Sequence, residues 1–139
     1  MVYAVIDTNV LVSALITHNS NAATVRVLEC LFMHRITPLF NDEIIAEYKE
    51  VLSRAKFKLP VGLIRDVVDW VKKNGVDARS LPYEGDMPDE DDRVFYEVSL
   101  SQEDSFLVTG NLRHFPRSPK VVTAAQMMEI LDGDSFEKD

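Results

Sequence analysis

Hydrophobic positions along this chain follow two periods, and the switches between them mark the elements. Val2 to Ile6 is an apolar run that stops abruptly at Asp7-Thr8-Asn9, the pattern of a strand buried on both faces. Val10, Leu11, Ala14 and Leu15 recur at helical spacing and predict a helix over 8–16. The polar His18-Asn19-Ser20-Asn21 is a turn, with Ser20 placed to cap a helix from about 21 to 34. Ile36 to Phe40 reads as a second short strand, and Asn41 or Asp42 caps a helix with Ile44, Ile45, Tyr48, Val51 and Leu52 on its inner face. Pro60 opens the next helix, striped by Leu63, Ile64, Val67, Val68 and Val71, and Asn74-Gly75 ends it. Residues 76–90 contain two prolines and a glycine and predict a strand fragment followed by an acidic loop. A helix from about 90 to 101 follows, then strands at Ser105–Val108 and Lys120–Val122. Thr123-x-x-Gln126 resembles a capping box opening the last helix, and the polar tail after Asp132 is expected to fray.

Strands alternating with helices predict a three-layer α/β/α fold around a central, mainly parallel sheet. With no internal repeat and no dividing linker, the expected organisation is one domain over 1–132 with a polar tail at 133–139.

Composition narrows the class. The chain has 139 residues, 46% hydrophobic and 27% charged, ordinary values for a globular domain. No apolar run approaches the ~18 residues of a membrane span, and Asp7 interrupts what a signal peptide would need as its apolar segment. The single cysteine, Cys30, excludes a disulfide framework and a Cys-rich zinc site, and Leu28, Leu31 and Phe32 around it mark a core position. A cytoplasmic protein is expected. The net charge of −8 argues against the basic footprint usual in nucleic-acid binders, yet bound cations let an acidic pocket work on phosphodiesters. The acids concentrate between Glu84 and Asp92, and Arg54, Lys56 and Lys58 form a small basic cluster.

The candidate chemistry lies in acids at element ends. Asp7 ends the first strand, Glu47 lies within a helix, Asp91 and Asp92 open a later helix, and Asn111 follows the strand ending Val108-Thr109-Gly110. Strand ends share one edge of a parallel sheet, where α/β proteins place ligands. Three carboxylates and an amide suit Mg²⁺ or Mn²⁺, whereas zinc recruits His or Cys. Each residue also has a simpler reading. Asp7 can cap the following helix, Glu47 can pair in solvent with Lys49 or Arg54, Asp91 and Asp92 can complement a helix dipole, and Asn111 suits a turn.

Taken together, Val5-Ile-Asp-Thr-Asn-Val-Leu-Val-Ser-Ala14, Glu47-Tyr-Lys-Glu-Val-Leu52, Asp91-Asp-Arg-Val-Phe95 and Leu107-Val-Thr-Gly-Asn111 with His114-Phe115-Pro116 resemble a PIN domain. The likeness runs from Val2 to about Leu131 and is greatest to toxin components of bacterial toxin–antitoxin pairs. The resemblance implies a metal-dependent endoribonuclease using Mg²⁺ or Mn²⁺. It assigns Asp7, Glu47, Asp92 and Asn111 as catalytic, with Asp91 as a neighbouring ligand. Asn9 and Thr109 orient the acids. Asn111 stands where many relatives have Asp, so the site is one charge short. Arg93, Arg54 and Arg113, with Lys56 and His114, are the candidate phosphate contacts. The implied partners are an RNA substrate and a small antitoxin protein, with a homodimer as a further expectation, for which Val67, Trp70 and Val71 either offer apolar surface or belong to the core; no membrane is expected. Two other classes compete. One is a catalytically silent scaffold binding a protein or RNA, motivated by Asn111 and the acidic charge. The other is an aspartyl-phosphate enzyme, disfavoured because Asn9 stands where a haloacid-dehalogenase-like phosphatase places a second Asp.

Overall fold

The computed structural model describes residues 1–137, with side chains described through Gly133. Strands β1 (Val2–Ile6), β2 (Ile36–Phe40), β3 (Val76–Asp77), β4 (Phe106–Val108) and β5 (Val121–Val122) form one parallel sheet in the order β3-β2-β1-β4-β5. Among the described residues, six α-helices surround it: α1 (Thr8–Ile16), α2 (Ala23–Phe32), α3 (Asp42–Leu52), α4 (Val61–Asn74), α5 (Arg93–Leu100) and α6 (Ala124–Glu137). α2 packs against α1 and α6, whereas α3 packs against α4 and α5. The fold is the expected three-layer α/β/α architecture.

β1 is central because its sequence can be buried on both faces: Ala4, Val5 and Ile6 are at most 1% exposed. The chain winds outward from β1 through β2 to β3, then returns to place β4 on the other side of β1. The strand order therefore reverses between β1 and β4, whose pairing ends at Ile6 opposite Val108. The residues just beyond, Asp7 and Thr109, stand at this switch point, where open α/β sheets place their ligand crevice.

Local chemistry explains most boundaries. The Asn41 side chain accepts the Ile44 backbone N–H at 2.9 Å and caps α3. Thr123 and Gln126 exchange the two bonds of a capping box, at 2.8 and 3.1 Å. Gly75 follows α4 where a β-carbon would lie 2.5 Å from the Pro38 carbonyl oxygen, so only glycine fits. Cys30 is buried, its thiol pushed up by that burial.

Several boundaries differ from the periodicity. Ser20 does not cap α2, which starts at Ala23 after an Ala22 that makes no side-chain cap; the Asn19 side chain closes that turn instead by accepting the Asn21 N–H at 3.0 Å. The helix expected over 90–101 divides into a 3-10 turn at Glu90–Asp92 and α5, because the Asp89 carboxylate accepts the Asp91 N–H and tightens the entry. Helix α6 continues to Glu137 into the stretch read as a polar tail, and residues 138–139 lie outside the described residues. Val67 and Val71 are buried in the core, and Trp70 packs edge-on to Phe32 and against His34. Among the described residues, no helix is long and apolar enough to cross a membrane.

Candidate active site

Asp7 follows directly from the end of β1 and is only 4% exposed. It occupies the N-cap position of α1, yet its side chain makes no cap hydrogen bond. Its Oδ2 instead accepts from the Thr109 hydroxyl at 2.8 Å and from the Asn9 amide at 3.3 Å. Asn9 is held in turn, its Oδ1 accepting the Gly110 N–H at 3.0 Å. The end of β1 is thus laced to the end of β4 through Asp7. Burial pushes the Asp7 carboxyl from 3.8 to about 6; the Thr109 bond opposes the rise, and the charges of Asp92 and Glu47 add to it.

Glu47 reaches the same place from α3. The next residue, Tyr48, is buried and donates its hydroxyl to the Ile6 carbonyl at 2.5 Å. Its ring also packs against Phe95 of α5. That contact fixes the register of α3 against the end of β1. Glu47 is then half-buried, with Oε2 accepting from the Thr8 hydroxyl at 2.5 Å. Desolvation raises its carboxyl above the ordinary range, Thr8 lowers it, and Asp92 raises it further. Its partner is Thr8; Arg54 forms its ion pair with Glu50.

Asp92 comes from the turn before α5, and its side chain is 14% exposed. Oδ2 lies 2.9 Å from His114 Nδ1, and the far ring nitrogen is 2.7 Å from the Asn111 amide nitrogen. With that amide donating to Nε2, the ring carries its proton on Nδ1 and donates it to Asp92. Desolvation raises the Asp92 carboxyl and the His114 bond lowers it. Asn111 also donates its backbone N–H to Thr109 Oγ1 at 3.0 Å, so the network is continuous from Asp92 through His114, Asn111 and Thr109 to Asp7. Asp91 is exposed, yet its charge raises the carboxyls of both Glu47 and Asp92.

The structure therefore brings Asp7, Glu47 and Asp92 together with Asn9, Thr109 and Asn111. Asp92 and Glu47 raise the Asp7 carboxyl and Asp92 raises that of Glu47, while among the described residues the basic side chain that contacts these acids is His114, beside Asp92. An ionised carboxylate offers about four lone-pair sites. Asp7, Glu47 and Asp92 each have one oxygen fixed by a donor, so hard ligand positions remain on all three. An all-oxygen donor set of this kind suits a hard divalent cation. Among the described residues, the one group of three acids or histidines whose ligand atoms lie within 4.8 Å of one another is Asp89, Asp92 and His114, which shares Asp92 with this pocket and could also hold a metal ion.

The basic candidates are placed differently. Arg93 binds Glu90 through two 2.7 Å contacts and reaches the carbonyls of Tyr83 and Gly85, bracing the acidic loop. Arg54 is engaged by Glu50. Lys56 lies over the Phe57 ring, 5.1 Å from its centroid. Arg113 is exposed beside a cleft. Sequence reasoning placed Tyr48 on an inner helix face but gave no part in the site to Thr8, Tyr48 or Asp89. The one advance signal was Asp89-x-x-Asp92, a spacing that places two acids on one side of a turn.

A sequence model of the PIN domain family matches residues 3–113. No curated protein and no solved structure matches the chain significantly.

Proposed function

Since the chain belongs to the PIN domain family, whose members are generally metal-dependent nucleases, we propose that it is an endoribonuclease that uses Mg²⁺ or Mn²⁺ to hydrolyse RNA phosphodiesters. The observation that carries this reading is the convergence of Asp7, Glu47 and Asp92 at the switch point of the sheet, each with a raised carboxyl. Such clustering is unfavourable without a countercharge, which a phosphate-processing metal site supplies.

Asp7, Glu47 and Asp92 would hold the cation, with Asp91 at the margin. When bound there, the ion supplies Lewis acidity, lowering the pKa of a water and shielding phosphate charge. The chain's own residues set the geometry. Thr109 and Asn9 fix the plane of Asp7, Thr8 fixes Glu47, and His114, oriented by Asn111, fixes Asp92. The reaction is a simple hydrolysis: water adds to phosphorus, and one P–O bond breaks, its oxygen leaving with a proton. In this arrangement Asn111 acts as an orienting residue, through its amide and backbone N–H.

The biological setting follows from the family likeness. The protein is proposed to be the toxin of a toxin–antitoxin pair, acting in the cytoplasm and silenced by a small protein laid over the acidic groove; self-association into a homodimer is a further proposal.

Calorimetric titration with Mn²⁺, followed by incubation with labelled single-stranded RNA, tests the catalytic reading. Metal binding and cleavage that EDTA arrests are expected. No binding at millimolar Mn²⁺, with the RNA intact, would instead establish a silent scaffold.

A further inference from the structure

The chain carries net charge −8, so RNA approaches an overall repulsive surface. Yet from Ser105 to Met128 the sequence holds no Asp or Glu, while Arg113, Arg117 and Lys120 fall within it. This stretch spans β4, the loop after it, β5 and the start of α6. Its loop is pinned at several points. The His114 ring is held between Asp92 and Asn111, and Phe115 is 3% exposed in the core. The Ser118 hydroxyl accepts the Lys120 backbone N–H at 3.4 Å, and the Lys120 ammonium donates to the Ser99 carbonyl at 2.8 Å. Lys120 is therefore consumed in holding the loop.

The two arginines are not. Arg113 and Arg117 are exposed and have no hydrogen-bond or ionic partner among the described residues, unlike Arg26, Arg54 and Arg93, each of which pairs with an acid. They flank a cleft of about 680 Å³ whose apolar lining includes Leu112, Phe115, Pro116 and Val121, and no acid lines it. Leu112 and Arg113 share a 3-10 turn with His114, which touches Asp92. That turn ties the Arg113 end of the cleft wall to the acidic pocket through His114. Unpaired guanidinium groups on a pinned loop above an apolar floor match the chemistry of a nucleotide: phosphate for the forks, a base for the floor.

We infer that the Arg113–Arg117 cleft is a nucleotide subsite that binds single-stranded RNA beside the bond to be cut, an assignment that rests on the ribonuclease reading above. Arg117 thereby joins Arg113 as a substrate contact. The subsite gives an acidic protein a local hold on a polyanion and sets which side of the scissile phosphate is gripped.

The test is fluorescence anisotropy of a labelled single-stranded RNA against full-length Asp7→Asn protein in Mg²⁺, across a salt series. Each phosphate contact on a single strand contributes about 0.7 to the slope of log affinity against log salt. Arg113→Ala/Arg117→Ala should therefore lower the slope by about 1.4 and weaken binding at low salt. Arg113→Lys/Arg117→Lys should retain most of the slope. The charge-matched control is Lys72→Ala/Lys73→Ala, on the exposed last turn of α4, which leads into β3 at the far edge of the sheet from β5; it should leave the slope unchanged. Equal loss in the two alanine pairs, or no loss in the arginine pair, would overturn the assignment. Cleavage by the wild-type background separates the two readings. If the arginine pair alters RNA binding but the wild type cleaves nothing, the nuclease reading fails and the subsite stands as an RNA-binding site. If the wild type cleaves and the arginine pair keeps its KM, the subsite fails and the nuclease reading stands.

Discussion

At the scale of single residues, Asp7 combines the greatest strain with the most chemistry. A carboxyl whose pKa rises on folding binds its proton more tightly in the native than in the unfolded chain, so its contribution to stability is present at low pH and lost as pH climbs from 3.8 to about 6. A shift of that size corresponds to about 3 kcal/mol of native-state destabilisation once Asp7 is ionised. Asp7→Asn should therefore raise the melting temperature of metal-free protein at pH 8 and leave it nearly unchanged at pH 3.5. Saturating Mn²⁺ should narrow the gap at pH 8 by stabilising the wild type alone. A thermal scan of both proteins at the two pH values, with and without metal, checks this; equal melting temperatures at pH 8 without metal would mean that Asp7 is not strained by its surroundings. The same residue was the most legible in the sequence, because an apolar run that stops at a carboxylate has few structural uses. The helix-cap alternative fails for a local reason: Thr109 and Asn9 take the side chain that would have capped α1.

At the scale of elements, α3 decides whether there is a pocket. Its amphipathic stripe and Asn41 cap were readable from spacing, but the direction of Glu47 was not. A glutamate on a helix is solvent-exposed by default, and only the docking of Tyr48 under β1 turns Glu47 toward Thr8. Tyr48→Phe removes the hydroxyl that satisfies the buried Ile6 carbonyl, which should cost about 1–3 kcal/mol in urea unfolding. Mn²⁺ affinity should fall with it, because Glu47 loses its fixed register; unchanged affinity by calorimetry would restrict Tyr48 to a structural part. The acidic loop shows the opposite limit of sequence reading. Glu84, Asp86, Asp89, Glu90, Asp91 and Asp92 look alike in one dimension. Their roles separate only in space: Glu90 holds Arg93, Asp89 tightens the turn, and Asp92 meets a histidine from beyond the next strand. Likewise the Ser20 cap was a reasonable reading that Asn19 pre-empted by closing the turn itself.

For the whole molecule, charge separates into complementary territories. Acids from the end of β1, α3 and the turn before α5 meet at the switch point. The acid-free stretch from Ser105 to Met128 carries Arg113 and Arg117, which have no partner among the described residues and flank the His114 that contacts Asp92. A metal at the acids and a phosphate chain at the arginines would satisfy both. The parallel sheet was legible because its strands and helices alternate cleanly, and the central place of β1 agrees with the burial of Ala4, Val5 and Ile6. The meeting of Asp92 with His114 was not, since the partners are 22 residues apart and joined only by tertiary packing. The central claim is that Asp7, Glu47 and Asp92 act as one cation-dependent hydrolytic centre. The most direct measurement is the rate of single-stranded RNA cleavage in Mn²⁺ by wild type, Asp7→Asn and Asp92→Asn, each confirmed folded by circular dichroism. The wild type should cleave only with the cation, and each variant should lose more than the ~100-fold that removal of an outer-shell partner costs. Cleavage at wild-type rate by either folded variant, or cleavage undiminished by EDTA, would contradict the account.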